Sequence, residues 1–201
     1  MLKHFIWDFD GTLFDTYPVL VDVFVELLER EGRTIDRVEV AELMAISAKT
    51  TYEAFGVSDE FITIYKQQKT TIEFDRSHPF SGIQKLLERL SARGATHHIV
   101  THRGQSIHAL LKKHGLTHHF QDILTAEQGF ARKPNPEAVQ YLIEQHQLQL
   151  SETIMIGDRE LDVLAGYHAG IATCLISDQP SETVATYTVP SPDRLNELFL
   201  T

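Results

Sequence analysis

Two aspartates, Asp8 and Asp10, stand one residue apart at the end of an apolar run in FIWDFDGTLFDTYP, residues 5–18, with Gly11 and Thr12 immediately after. If the run is a strand, its side-chain period of two puts both carboxylates on one face and Phe9 on the other. Carboxylates that close repel, so the pair requires a cation or a shared proton. A hard divalent ion with oxygen ligands meets that requirement, and Asp158, in GDRELD, offers it a third carboxylate. Such a set suits Mg²⁺, which keeps part of its water and leaves room for the oxygens of a bound phosphate. Gly11 and Thr12 are expected to form a turn whose backbone N–H groups point at that anion.

These groups act together only if the chain brings them to one place. Residues 3–8 read as a short buried strand that stops at Gly11. From Tyr17 onward, Val19, Leu20, Val23, Phe24, Leu27 and Leu28 recur at helical spacing, and Gly32 is the stop. Helix-compatible segments continue with no convincing strand before His78 and Pro79, so residues 15–78 are predicted to be all-helical. Beyond Pro79 strands and helices alternate. A helix over 82–93 leads to the strand ATHHIVT, ending at Thr101, and a helix over 105–114 leads to a weaker strand, DILTA. A third helix is predicted with Asn135 as cap and Pro136 in its first position. The strand TIMIGD, the helix RELDVLAGYHAG, the strand IATCLIS and a last helix from Ser191 and Pro192 complete the chain. This alternation implies parallel β-α-β units. The expected fold is α/β: a doubly wound parallel sheet from residues 1–14 and 79–201, with a helical unit, residues 15–78, inserted after the first strand.

Open parallel sheets bind ligands beyond the carboxyl ends of their strands. The first strand ends in Asp8 and Asp10, the second in Thr101 and the fourth in Asp158, with Asp162 four residues on; Lys133 lies in the loop after the third. Each has a structural reading when taken singly. Asp158 and Asp162 suit a helix start, and Lys133 beside Arg132 suits a solvated surface. Their arrival at consecutive strand ends points instead to one site.

Composition narrows the partners. A net charge of -10 without a Lys/Arg-rich run argues against nucleic acid and anionic membrane, while leaving room for a small phosphorylated ligand in a basic pocket. No apolar run is long enough to cross a bilayer, and the N-terminus lacks the order of a secretory signal, so a cytoplasmic location is the default. The single cysteine, Cys174, excludes an internal disulfide and reads as a small buried hydrophobe. The pairs His97-His98 and His118-His119 make poor ligand pairs, because adjacent strand residues face opposite ways; structural or surface roles are expected for them.

In order and spacing, DFDGTLFDT, the IVT ending at Thr101, Lys133 in RKPNP, and GDRELD resemble the four motifs of the haloacid-dehalogenase-like phosphohydrolases. The resemblance spans essentially the whole chain. It implies a Rossmann-like core with a small α-helical cap at residues 15–78, and an Mg²⁺-dependent phosphatase acting on a small phosphomonoester. On that pattern Asp8 is the nucleophile that forms an aspartyl-phosphate, while Asp10 protonates the leaving alcohol and then deprotonates the hydrolytic water. Thr101 and Lys133 hold phosphoryl oxygens. The ion lies between Asp8, the backbone carbonyl of Asp10 and Asp158, with Asp162 behind them.

The second aspartate favours phosphoryl chemistry over the dehalogenating branch. The carbon–phosphorus branch would need a cap lysine, which Lys49, Lys66 or Lys69 cannot be assigned to be. Lys49, in AISAKTT, is the candidate for reaching a substrate carboxylate or second phosphate; His102 and Arg103, following Thr101, are candidates for the pocket border. The alternatives are a phosphosugar mutase using the same nucleophile, a receiver-like phospho-acceptor and a non-catalytic binding protein. The partner expected is a small phosphorylated metabolite, and the assembly a monomer or weak homodimer.

Overall fold

Burial on both faces fixes the centre of the sheet. In β1 (His4–Trp7), Phe5 and Trp7 pack to one side and Ile6 to the other, all three shielded from solvent. A strand covered on both sides has no need of polar alternation, so it reads as a continuous apolar run. The computed structural model describes residues 1–179 and 182–200; residues 180, 181 and 201, within the expected core, lie outside the description.

After β1 come β2 (Phe14–Asp15), α1 (Tyr17–Arg30), α2 (Arg37–Ile46), α3 (Ala48–Phe55), α4 (Asp59–Arg76) and β3 (His78–Pro79). Then follow α5 (Ile83–Ala92), β4 (Thr96–Val100), α6 (Ser106–Lys113), β5 (Phe120–Leu124), α7 (Glu137–Gln145), β6 (Thr153–Gly157), α8 (Glu160–His168), β7 (Ala172–Ile176), β8 (Tyr187–Val189) and α9 (Leu195–Leu200). Six strands form one parallel sheet in the order β5-β4-β1-β6-β7-β8, the doubly wound arrangement expected. The chain builds outward from β1 through β4 and β5, then crosses to β6 on the other side. The direction therefore switches at β1, where such sheets open a crevice. Trp7 is in register with Ile99 of β4 and Ile156 of β6, so Asp8, Val100 and Gly157 emerge side by side.

Residues of α5, α6 and α9 pack on the face of Phe5 and Trp7, and residues of α7 and α8 on the face of Ile6. Asp8 is two residues beyond Ile6 and so leans toward the α7 and α8 side. Cys174 is buried in the sheet, and burial pushes its thiol up to about 12.

The chain divides into two compact units, Met1–Phe14 with Pro79–Thr201, and Asp15–His78. The second is built on α1 to α4. Its core centres on Phe24, whose ring meets those of Phe61 at 5.2 Å, Tyr65 at 5.4 Å and Phe55 at 5.7 Å. Asp36, Ser47 and Ser58 cap α2, α3 and α4 by accepting the amides of Val38, Thr50 and Phe61.

Three features differ from the sequence expectation. β2 and β3, two residues each, form a ribbon of their own where the chain leaves and re-enters the core, too short for any period to register. β8 is an edge strand with only Val189 buried, so it carries no apolar alternation. α7 begins at Glu137 rather than Pro136, although Asn135 still accepts the Glu137 amide at 2.9 Å.

His97 and His98 both lie in β4 with no exposed surface. Trp7 Nε1–H donates to His97 Nδ1 at 3.1 Å, whereas neither ring nitrogen of His98 has a hydrogen-bond partner among the described residues. Burial, reinforced by neighbouring His146 and His4 and opposed by Asp122, holds His98 down to about 4; burial likewise holds His97 down to about 3. The unfolded chain therefore takes up protons first as pH falls. Stability fully present above pH 6.5 is expected to drain away toward pH 4, by on the order of 3 kcal/mol for His98. Denaturant unfolding at pH 7 and pH 4.5 checks this: His98→Phe should lose distinctly less than the wild type between the two conditions.

Candidate active site

Asp8 follows the last residue of β1, and its amide donates to the Ile156 carbonyl at 2.8 Å, which ties the start of the loop to β6. The carboxylate is 1% exposed. Oδ1 accepts from Lys133 Nζ at 2.7 Å, and Oδ2 has no hydrogen-bond partner among the described residues. Burial pushes this carboxyl up to about 6, and Asp162 adds to the effect; Lys133 and Arg159 oppose it. An oxygen left bare in so buried a place costs free energy unless something with positive charge meets it.

Lys133 is the counter-charge, hydrogen-bonded to Asp8 and the Val100 carbonyl and ion-paired with Asp162. Nζ lies 2.7 Å from Asp8 Oδ1, 2.6 Å from Asp162 Oδ1 and 2.8 Å from the Val100 carbonyl. Burial alone would lower its proton affinity, but Asp162 and Asp8 together raise it, so it stays an ammonium. Its backbone is fixed as well, because the Lys133 amide donates to His102 Nε2 at 2.9 Å. A ring nitrogen that accepts must be unprotonated. Burial and the positive charges of Lys133, Arg132 and Arg159 hold His102 down to about 3, in keeping with that role.

Asp162 is fully buried and does two things at once. Oδ1 pairs with Lys133, and Oδ2 accepts the Arg159 amide at 3.1 Å, closing the first turn of α8. Gly157 makes room for it: a Cβ there would sit 2.3 Å from the Asp162 Cβ, closer than any real contact. The glycine of GDRELD is thus a matter of space.

Asp8, Asp158 and Asp162 each offer a carboxylate oxygen within 4.8 Å of the others. Three clustered acids, two of them on one ammonium and Asp8 Oδ2 without a hydrogen bond, form an all-oxygen set that fits a hard divalent cation. Asp10 does not join them. The strand ends at Trp7, so the period of two does not carry to Asp10, and the two aspartates have separate counter-charges. Asp10 is gripped by Arg103, whose Nε donates to Oδ2 at 3.1 Å and whose Nη2 donates to Oδ1.

Gly11 takes φ +75° and its amide donates to the Phe14 carbonyl at 2.9 Å, so this residue supplies the turn and its N–H is not turned to an anion as expected. Thr12 is buried, with Oγ1 3.5 Å from Asp158 Oδ1. Thr101 Oγ1 accepts the Arg103 amide at 3.1 Å, which leaves the hydroxyl proton without an acceptor among the described residues. That proton is a ready donor to an anion at the strand edge. Lys49 lies in the first turn of α3, exposed and 3.6 Å from Glu53, and belongs to the helical unit.

Arg159 escaped the sequence reading. Its guanidinium reaches within 3.9 Å of Asp8 Oδ2 and 4.0 Å of Asp158 Oδ1, a further positive charge at the acidic cluster. It sits inside a motif read for its acids, and a loop residue has no periodicity to give it away.

A doubly wound α/β core that presents buried acids, a lysine and a threonine at the carboxyl edge of its central strands defines the class. The family model described as haloacid dehalogenase-like hydrolase matches residues 5–176, and the chain belongs to that family. Among curated relatives, a phosphoglycolate phosphatase of Vibrio parahaemolyticus is 29% identical over 191 residues, covering 86% of this chain and 82% of that one. The pyrophosphatase PpaX of Bacillus mycoides is 26% identical over 176 residues, covering 86% and 82%. Among solved structures, a hydrolase from Streptococcus pneumoniae is 32% identical, with a TM-score of 0.74 and coverage of 100% of this chain and 99% of that one.

Proposed function

We propose that this chain is an Mg²⁺-dependent phosphatase that hydrolyses a small phosphomonoester through an aspartyl-phosphate on Asp8. One observation carries the reading: a buried carboxylate at the switch point of the sheet, with one oxygen held by Lys133 and the other without a hydrogen bond. The first contact fixes the side chain, and the second oxygen keeps its lone pairs for attack on phosphorus. The names of the two curated relatives, a phosphoglycolate phosphatase and a pyrophosphatase, support the reaction class.

Asp8, Asp158 and the backbone carbonyl of Asp10 are the groups that would hold Mg²⁺, with Asp162 behind them as the anchor of Lys133. Bound there, the ion supplies positive charge against which an anionic carboxylate can approach an anionic phosphoryl group. Lys133 orients Asp8 and offsets its charge, and with Thr101 it would hold the phosphoryl oxygens. Thr101 donates its free hydroxyl proton to a phosphoryl oxygen. Asp10, beyond the acidic cluster, handles protons: one to the leaving oxygen, then one from the water that attacks phosphorus. The helical unit of residues 15–78 serves as the lid that selects the leaving group, and Lys49 on it is the candidate contact for a second anionic group.

A screen of phosphate esters with added Mg²⁺ tests the reading. Turnover of a generic aryl phosphate and of small phosphorylated acids or sugars is expected, and chelating the divalent ion should abolish it. Turnover that persists in chelator would contradict the proposed cation.

A further inference from the structure

Arg103 is an expensive residue to bury. Its side chain is 4% exposed, yet it lies next to the mouth of the site, with the Asp10 side chain at 21%. Removing a guanidinium from water is unfavourable unless its donors are met. Nε and Nη2 form a two-point fork on the two oxygens of Asp10, and Nη1 donates to Ser106 Oγ at 3.2 Å. The guanidinium carbon lies 5.3 Å from the centre of the Phe9 ring, stacking against the residue between the two aspartates. The backbone is tied at both ends: the amide donates to Thr101 Oγ1, and the carbonyl accepts the Ala126 amide at 3.0 Å. The next turn is braced by Glu127, which accepts Gln105 Nε2 at 2.8 Å.

A two-point fork fixes the plane of a carboxylate as well as its position, which a lysine cannot do. We infer that Arg103 is the positioning residue for Asp10: its side chain sets where Asp10 meets the proton it transfers, while its amide separately sets the Thr101 hydroxyl. The inference rests on the phosphatase reading above. In the second half of that reaction a water oxygen bonds to phosphorus as the bond from phosphorus to Asp8 breaks. The electron pair returns to the Asp8 carboxylate, the water proton goes to Asp10 and then to solvent, and inorganic phosphate leaves. The fork governs only the proton transfer. The Thr101 contact comes from the backbone and survives any change of side chain. Substitution at Arg103 therefore lowers kcat and spares KM.

The test uses an aryl phosphate with added Mg²⁺ on the full chain. Arg103→Ala and Arg103→Lys are expected to lose about 100-fold in kcat with KM changed by less than about threefold, the scale expected for a displaced catalytic group. Added guanidinium ion should restore part of the Arg103→Ala loss. In the double variant with Asp10→Asn the two losses should not multiply, because both act through one carboxylate. Full activity in Arg103→Lys, losses that multiply, or a loss confined to KM would each overturn the inference. So would variants that fail to fold by circular dichroism, since the fork would then be a folding element. Absence of turnover in the wild type with every phosphoryl compound would fell the phosphatase reading itself. The inference alone fails when the wild type turns over and the Arg103 variants match it.

Discussion

Lys133→Met is expected to destabilise the fold by about 3–5 kcal/mol, the range for breaking a buried ion pair from one side, and to stop turnover. The size of the effect follows from what remains. Asp8 and Asp162 are 1% and 0% exposed, and both depend on the same ammonium. A methionine fills the volume of the lysine stem but leaves two buried carboxylates facing each other, with the Arg159 guanidinium, 3.9 Å from Asp8 Oδ2, as a weaker counter-charge. The Val100 carbonyl loses its donor too. Thermal and denaturant unfolding measure the first effect and aryl phosphate turnover the second. A variant as stable as the wild type would mean that solvent reaches these carboxylates.

Asp8→Asn is expected to have the opposite balance. The amide is isosteric, its oxygen can still accept from Lys133, and one negative charge is removed from a crowded group of three. Stability should be kept or raised, while turnover falls by more than about 10⁴-fold, the scale seen when a nucleophile is removed. Unfolding midpoints and turnover, measured on the same preparation, separate the two consequences. Substantial turnover in Asp8→Asn would remove Asp8 from the chemistry.

The contrast between these two residues shows what one sequence reveals. Asp8, Thr101 and Asp158 were legible because parallel buried strands are continuous apolar runs, and a polar residue at the carboxyl end of each stands out; Lys133, in the loop between β5 and α7, was legible through its order among them. The doubly wound core was legible for the same reason. The partners of Asp10 were not, because a strand period stops being informative where the strand stops, at Trp7. Arg103 reaches Asp10 from a different loop, and a pairing across 93 positions leaves no trace in local spacing. Arg159 was hidden in the same way. His98 was expected to be structural or at the surface, and it is structural: it is buried in β4 with its ring 4.5 Å from that of His146 and neither nitrogen hydrogen-bonded among the described residues. Edge strand β8 has one buried residue, so the pattern that identifies the inner strands is missing from it.

The proposed reaction turns on transfer of phosphorus to Asp8. Rapid acid quench of the enzyme with a phosphoryl substrate labelled on phosphorus, followed by proteolysis and peptide mapping, tests it most directly. Up to one labelled phosphoryl group per chain is expected, released by hydroxylamine, on the peptide that contains Asp8 and absent from Asp8→Asn. Label on Asp10 or elsewhere, or steady release of phosphate with no label on the chain at any quench time, would contradict it.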